Sequence, residues 1–167
     1  MEDPAASRPY MPGYGILPAE QGSGLLPWSW AGRRLADSHD YWLATVRPDG
    51  RPHVMPVWGV WLDDRLWFST ALGSRKARNL AVHPDCAVTT DDPLNPVVLE
   101  GRAETVPDRP AIIRFLAALN TKYRTDYGPD FLDPAVNATV RVHPVQAFGL
   151  RQEDFTGSPT RWRFPRP

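Results

Sequence analysis

The stretch FSTALGSRKARNL, residues 68–80, passes from the end of one predicted strand into the start of a predicted helix. The strand closes on two hydroxyl residues, Ser69 and Thr70, and Gly73 follows in a turn. Ser74 is then a favourable N-terminal cap, because its side-chain oxygen can accept a hydrogen bond from an amide of the first helical turn. The stretch therefore predicts a strand, a tight turn and a short helix in immediate succession.

Two cations, Arg75 and Lys76, occupy the first turn of this helix. A helix start carries free N–H groups and partial positive charge, so it attracts anions and is opposed by cations. An anionic ligand held between these side chains and the helix start would remove that conflict. A helical projection places Arg75, Arg78 and Asn79 on one outward side, with Lys76 on its flank. The segment is either a phosphate site or a solvated basic face.

Short strands joined by tight turns surround this stretch. Arg47-Pro48-Asp49-Gly50 has the residues of a turn between two of them. The predicted strands are 41–46, 53–62, 66–70, 86–90, 97–106, 138–143 and 145–151, the last two split by Pro144, with a short strand in the tail. The predicted helices are 27–38, 75–83 and 109–123. Six or seven strands with few helices predict a mainly β protein built as a barrel.

The composition agrees with one globular domain of 167 residues, 42% apolar and 23% charged. Its 19 prolines exclude a helical bundle. The 19 Lys and Arg residues balance 19 Asp and Glu residues, which excludes a broad basic face for nucleic acid. Residues 1–26, rich in Pro, Gly and Ala, predict an extended or disordered arm, and residues 27–167 form the predicted domain.

Nothing in the sequence predicts a membrane partner. No run approaches the roughly 18 apolar residues that a membrane span needs. Acidic Glu2 and Asp3 stand where a targeting segment would be basic, and no apolar core follows them. The single Cys86 excludes an internal disulfide. A cytoplasmic location is expected.

The predicted strand 53–62 is apolar on both faces. One face carries Met55 and Val57, and the other carries Pro56 and Trp58. A strand of a monomeric barrel normally shows one polar face, so a partner subunit, a cofactor or both are expected to cover this one. Its proline and glycine mark either a main chain that contacts a flat ligand or an edge strand with a bulge.

Motifs of nucleophilic or metal-dependent catalysis are absent. The sequence contains no phosphate-binding Gly-rich loop, no Gly-x-Ser-x-Gly elbow and no His-Glu-x-x-His motif. Its four histidines lack the spacing of metal ligands, so no metal site is predicted. No catalytic side chain is predicted either.

These features together resemble the pyridoxamine 5′-phosphate oxidase-like superfamily, the flavin and deazaflavin oxidoreductases of the split β-barrel fold. The resemblance runs in order over residues 41–106. It rests on LATVRPDGRPH at 43–53, PVW at 56–58, LWFST at 66–70, GSRKARNL at 73–80, His83-Pro84 and EGRAE at 100–104.

The resemblance implies an FMN-binding type of split barrel, a homodimer with two cofactor sites at its interface. It implies that the main chain of the second strand lies along the flavin-like ring, that hydroxyls ending the third strand contact the cofactor, and that the Ser-Arg-Lys turn holds its phosphate. The cofactor-binding residues implied are Met55, Pro56, Val57, Trp58, Ser69, Thr70, Ser74, Arg75, Lys76 and Asn79.

The cofactor implied first is coenzyme F-420, a deazaflavin. True pyridoxamine phosphate oxidases carry a lysine in the second strand where this sequence has Val60, so the chain is more similar to actinobacterial members that use F-420. The activity expected is hydride transfer between this cofactor and a small organic substrate, with the chemistry supplied by the cofactor. Two alternatives stay open: an FMN-dependent oxidoreductase, and a protein that binds flavin, deazaflavin or haem without turnover.

Overall fold

A computed structural model describes residues 3–165 of the chain. The described part contains nine strands and three α-helices. In chain order these are β1 (Ala5–Ser7), α1 (Trp28–Asp37), β2 (Asp40–Val46), β3 (Pro52–Trp58), β4 (Val60–Leu62), β5 (Arg65–Ala71), α2 (Arg75–Val82), β6 (Asp85–Thr90), β7 (Val97–Thr105), α3 (Arg109–Tyr123), β8 (Asn137–Gly149) and β9 (Thr160–Arg163). Short 3₁₀ turns lie at Pro129–Leu132 and Gln152–Asp154.

The nine strands form one antiparallel sheet. Its main order is β1-β9-β8-β7-β6-β2-β3, while β5 pairs with the first half of β8 and β4 pairs with β5. The sheet encloses a core of inward side chains that includes Tyr41, Phe68, Val88, Val140 and Trp162. The predicted mainly β class and split-barrel architecture are confirmed.

The prediction of two final strands split by Pro144 is wrong, because β8 continues through this proline. Gly101 pairs with Pro144 while its neighbour Glu100 pairs with Gln146, so one extra residue bulges out of β8. A proline lacks the N–H that a regular ladder needs, and a bulge tolerates that loss. A Cβ on Gly101 would meet the His143 carbonyl oxygen at 2.4 Å, so only glycine fits opposite the bulge.

The prediction of one continuous strand over 53–62 is also wrong. The chain leaves β2 after Trp58 and begins to pair with β5 at Val60. Gly59 lies between the two strands, where an added Cβ would meet the Trp67 carbonyl oxygen at 3.0 Å. A glycine therefore lets the chain change partners while it passes close to β5.

The end of α3 holds this change of direction in place. The Lys122 Nζ donates to the Gly59 carbonyl (2.8 Å) and to the Tyr41 hydroxyl (2.9 Å). The Tyr123 hydroxyl accepts from the Gly59 N–H at 2.8 Å. Burial lowers the pKa of Lys122 to about 8, since a low-dielectric site disfavours its charged form.

The N-terminal segment, for which an extended or disordered arm is expected, adds a strand to the sheet. Strand β1 pairs with β9 at the sheet's edge. Beside it, the Arg8 guanidinium donates to five main-chain carbonyls, among them those of Pro159 (2.8 Å) and Gly157 (2.9 Å). Met1 and Glu2 of the predicted arm, and Arg166 and Pro167 of the predicted domain, lie outside the described residues.

The three predicted helices are confirmed. On α3 the inward residues Ile112, Phe115, Leu116 and Leu119 pack with Trp67 in a second apolar cluster. Within residues 3–165, no helix combines the length and the apolar character required for a membrane crossing.

We expect Gly101→Ala to lower the free energy of unfolding by about 1–3 kcal/mol, because a Cβ would push against the main chain of β8. Denaturant unfolding measures this change. Gly128→Ala is the matched control, since its Cβ would meet nothing within 4 Å, and it should stay within about 0.5 kcal/mol of the parent chain. Equal stability of the two variants would contradict the bulge.

The half-buried Lys122 predicts a pH dependence of stability. Its pKa is about 8 in the fold and 10.5 ordinarily, so the unfolded chain binds more protons between these values and stability rises with pH. Burial raises the pKa of Tyr41, so ionisation of the unfolded tyrosine reverses the trend above about pH 10.

Between pH 8 and 10 we expect the free energy of unfolding to rise by about 1 kcal/mol. This is less than the full difference between the two pKa values would give, because the partly exposed amine is screened by solvent. Denaturant unfolding at several pH values measures the rise. Lys122→Met should abolish it and Lys76→Met should keep it. A rise that persists in Lys122→Met would assign it to another group.

Candidate functional site

The end of β5 and the start of α2 are joined by two hydroxyls. The Thr70 and Ser74 hydroxyl oxygens lie 2.8 Å apart. Ser74 also accepts from the Ala77 N–H at 3.1 Å, which confirms it as the N-terminal cap. The capping bond fixes the first turn of the helix against the end of the strand, as the sequence predicts.

The first turn of α2 presents positive charge that no ion pair within residues 3–165 compensates, and the Asp49 carboxylate, which acts on Arg75 from a distance, is hydrogen-bonded to Arg51. In the described chain, Arg75 and Lys76 form no salt bridge, and the first turn of α2 contains no acidic residue. The main-chain N–H groups of these two residues also have no hydrogen-bond partner among residues 3–165. Two free amides and two cations at one helix start make a site for an anion.

The hairpin between β2 and β3 adds two residues to this region that the sequence reasoning missed. Thr45 pairs with His53 across the strands, and the alternation of β2 brings Arg47 to the same face. Arg47 Nε and His53 Nδ1 are both buried without a hydrogen-bond partner in residues 3–165. The sequence carries a signal for part of this arrangement. Arg47 is two residues from Thr45, and Thr45 lies across the predicted hairpin from His53, so the three residues are predicted to share one face. The sequence does not predict that α2 packs against that face.

Charges on the β2–β3 hairpin and on α2 both change the pKa of His53. Burial lowers its pKa first, and the positive charges of Arg47, Lys76 and Arg75 lower it further. No carboxylate offsets these cations at His53, and the nearby Asp49 is already bonded to Arg51. The hairpin and α2 therefore share one positive field.

Two of the residues predicted to bind cofactor lie apart from this surface. Asn79 is fully buried and donates to the Thr45 hydroxyl at 2.9 Å, so the helical projection that placed it outward is wrong. The reason is that α2 packs on β2 through this side. Ser69 lies on the face of β5 that carries Trp67, opposite to the face of Thr70.

Strand β3 is an edge strand, which is one of the two alternatives that its sequence left open. Arg47 bonds to Arg51 at the hairpin end, so alternate residues from His53 onwards bond to β2. The main-chain groups of Val54, Pro56 and Trp58 therefore point to the open edge. Pro52 and Pro56 are both at positions that point to the open edge, so their missing N–H groups remove no hydrogen bond between β3 and β2.

The open edge leaves side chains of β3 accessible as well. Met55 is 42% exposed although it belongs to the inward face with Val57, because no strand of the described chain pairs along this edge. At the far end Trp58 stacks on Tyr123 with ring centroids 4.2 Å apart and planes 4° from parallel. The edge thus runs from the cations near His53 to an aromatic pair.

The arrangement can bind a long ligand with an anionic end and a flat end. The anion would lie at the turn of Thr70, Ser74, Arg75 and Lys76, and the flat part along β3. Within residues 3–165 no three His, Cys, Asp or Glu side chains lie together as a metal site.

Comparisons of the fold give several solved structures that share it. An F420 reductase is 29% identical with a TM-score of 0.58, and the match covers 69% of this chain and 93% of the other. A conserved hypothetical protein, Rv2991, of Mycobacterium tuberculosis is 23% identical with a TM-score of 0.62, over 92% of both chains. A NimC/NimA family protein of Clostridium acetobutylicum is 14% identical with a TM-score of 0.64, over 81% and 92%.

The sequence itself matches a family model. No curated protein is similar to the chain at a significant level. The model that matches is described as pyridoxamine 5′-phosphate oxidase and spans residues 33–152, which includes every residue predicted to bind cofactor. With its split barrel and the resemblance of residues 41–106, this match shows that the chain belongs to the pyridoxamine 5′-phosphate oxidase family, which includes oxidoreductases.

Proposed function

We propose that the protein is an oxidoreductase that binds the deazaflavin coenzyme F-420 and transfers hydride to a small organic substrate. The observation that carries this proposal is the similarity to an F420 reductase, at 29% identity over 93% of that chain. Membership of the oxidase family supports a flavin-type cofactor in general. The match with the F420 reductase favours the deazaflavin over FMN.

The residues of the site fit such a cofactor. Its phosphate would be held by Ser74, Arg75 and Lys76, where, among residues 3–165, two cations form no salt bridge and two main-chain N–H groups have no partner. Thr70 fixes Ser74 for this role through their 2.8 Å contact. Asn79 acts as a positioning residue, because its bond to Thr45 ties α2 to the strand beside the site.

The open edge of β3 would receive the ring. Main-chain carbonyls of Val54 and Pro56 and the N–H of Trp58 face that edge and can hydrogen-bond the polar rim of a flat ligand. When bound, the cofactor supplies the hydride chemistry, while this chain binds and orients it. The stacked Trp58 and Tyr123 limit the length of the ring site and can pack against an apolar substrate.

A homodimer is part of the proposal, because the outer face of β2 and β3 is apolar and uncovered. Trp42 is 47% exposed and Val54 is 51% exposed on this face, close to Val46 and Val145. A groove of about 430 Å³ runs across it from Ala44 to Val145. Adjoining exposed apolar side chains mark an interaction surface. A second copy seated there would cover both the apolar face and one side of the β3 edge.

Cofactor binding tests the proposal. Titration of the protein with F-420, FMN and haem should give the tightest binding for F-420. Lys76→Ala should weaken it at least about tenfold, because a charge-assisted contact to phosphate is lost. Arg78→Ala is the matched control, since Arg78 lies on the same helix but borders a groove beside Ala103 and Ala138.

The outcomes separate the alternatives. Saturable FMN binding without F-420 binding would replace the deazaflavin proposal with an FMN-dependent oxidoreductase. Tight haem binding alone would replace it with a haem protein. If F-420 binds but its reduced form is never oxidised by any acceptor, the protein is a carrier and not an enzyme.

The dimer has its own test. Light scattering at micromolar concentration should give twice the chain mass of 18.8 kDa for the parent protein. Val54→Glu should give a monomer that binds cofactor at least about tenfold more weakly, because a carboxylate is costly to bury in an apolar interface. Ile113→Glu, at a 48% exposed apolar residue of α3, should leave mass and binding unchanged. A parent protein that is monomeric would contradict the shared site.

A further inference from the structure

We propose that Arg47 and His53 bind the same anionic group as the α2 turn, from the opposite side, and that His53 takes up a proton when this anion binds. The inference rests on the proposed function and extends it, since the resemblance implies no phosphate contact for either residue. The site then has two arms: the turn at Ser74–Lys76 and the hairpin between β2 and β3.

The first argument is that both hairpin side chains are buried in part yet lack partners. Arg47 Nε and His53 Nδ1 are buried atoms without a hydrogen-bond partner among the described residues. An unmet donor or acceptor in such a place costs free energy, and proteins rarely leave one without a reason. An anion between the hairpin and α2 would accept from both.

The second argument is the contrast with Arg51 on the same hairpin. Arg51 donates to the Asp49 carboxylate at 2.8 Å and 3.0 Å, so its charge is compensated. Arg47 forms no salt bridge in residues 3–165. The hairpin therefore holds one arginine, Arg51, that is paired with a carboxylate, and another, Arg47, whose side chain has no hydrogen-bond or ion-pair partner in residues 3–165.

The third argument is electrostatic coupling between the two arms. The charged groups that act on His53 are Arg47 from the hairpin and Arg75 and Lys76 from α2. Burial and these cations together lower its pKa, so the neutral imidazole is favoured when no anion is present. A bound phosphate neutralises these cations and favours the imidazolium, which can then donate from Nδ1.

The coupling between His53 and the anion makes binding depend on pH. Because the anion-bound protein holds a proton on His53 more tightly than the free protein, binding takes up a proton and tightens as pH falls. A site without His53 would lose this part of the pH dependence. The remaining pH dependence would come from the ligand's own titration, which is the same for every variant.

The test is isothermal titration calorimetry with F-420 and FMN, on the full chain at constant ionic strength, from pH 5.5 to 8. Arg47→Gln should weaken binding at least about tenfold at pH 7, and Arg47→Lys should recover most of that loss. Arg51→Gln, the matched control on the same hairpin, should change affinity less than about twofold. His53→Gln should bind with less tightening at low pH than the parent chain and should take up fewer protons in buffers of different ionisation enthalpy.

A second probe separates this inference from the proposed cofactor. Inorganic pyrophosphate should raise the melting temperature of the parent chain, and Arg47→Gln should reduce the shift while Arg51→Gln keeps it. If Arg47→Gln binds cofactor as the parent does while Lys76→Ala does not, the hairpin arm is overturned and the proposed function stands. If no flavin or deazaflavin binds but pyrophosphate binding depends on Arg47, the proposed function fails and the two-armed anion site stands. If no probe binds the parent chain, both fail.

Discussion

Strand β8 hydrogen-bonds to three other strands, and the barrel is held together by these three pairings. Its first half pairs with β5 on one side, its second half pairs with β9, and β7 lies along the other side. The bulge opposite Gly101 lies between the half of β8 that pairs with β5 and the half that pairs with β9, and a bulge bends the strand that carries it. Because β5 is tied to β8, it carries Thr70 and the start of α2 to the open edge of β3.

The site therefore lies where two parts of the sheet meet without pairing. Strand β3 ends the main sheet, and β5 reaches the same region from its pairing with β8. Helix α2 packs on β2 and β5, and the buried Asn79–Thr45 hydrogen bond fixes it to β2. The charges of Arg47, Arg75 and Lys76 all act on His53 in this region, and the Asp49 carboxylate nearby is hydrogen-bonded to Arg51.

Local chemistry explains which features the sequence predicted. The cap at Ser74, the turn ending in Gly50 and the apolar face of α3 each depend on residues a few positions apart, and all three are confirmed. The predicted strand end at Pro144 is wrong because a proline forbids one hydrogen bond but a bulge removes the need for it. The predicted outward position of Asn79 is wrong because a helical projection does not say which side of the helix meets the sheet.

The sequence by itself determined the mainly β barrel, the helix cap, the cationic turn at Arg75 and Lys76, and the family resemblance of residues 41–106. These follow from period-two and helical patterns and from short motifs, which act over a few residues. Only the tertiary structure decided that the charges of Arg47 and of α2 act together on His53, that β3 is an edge strand, and that the chain changes its strand partner at Gly59. Each of these depends on contacts between residues distant in sequence, whose pairing the local pattern leaves open.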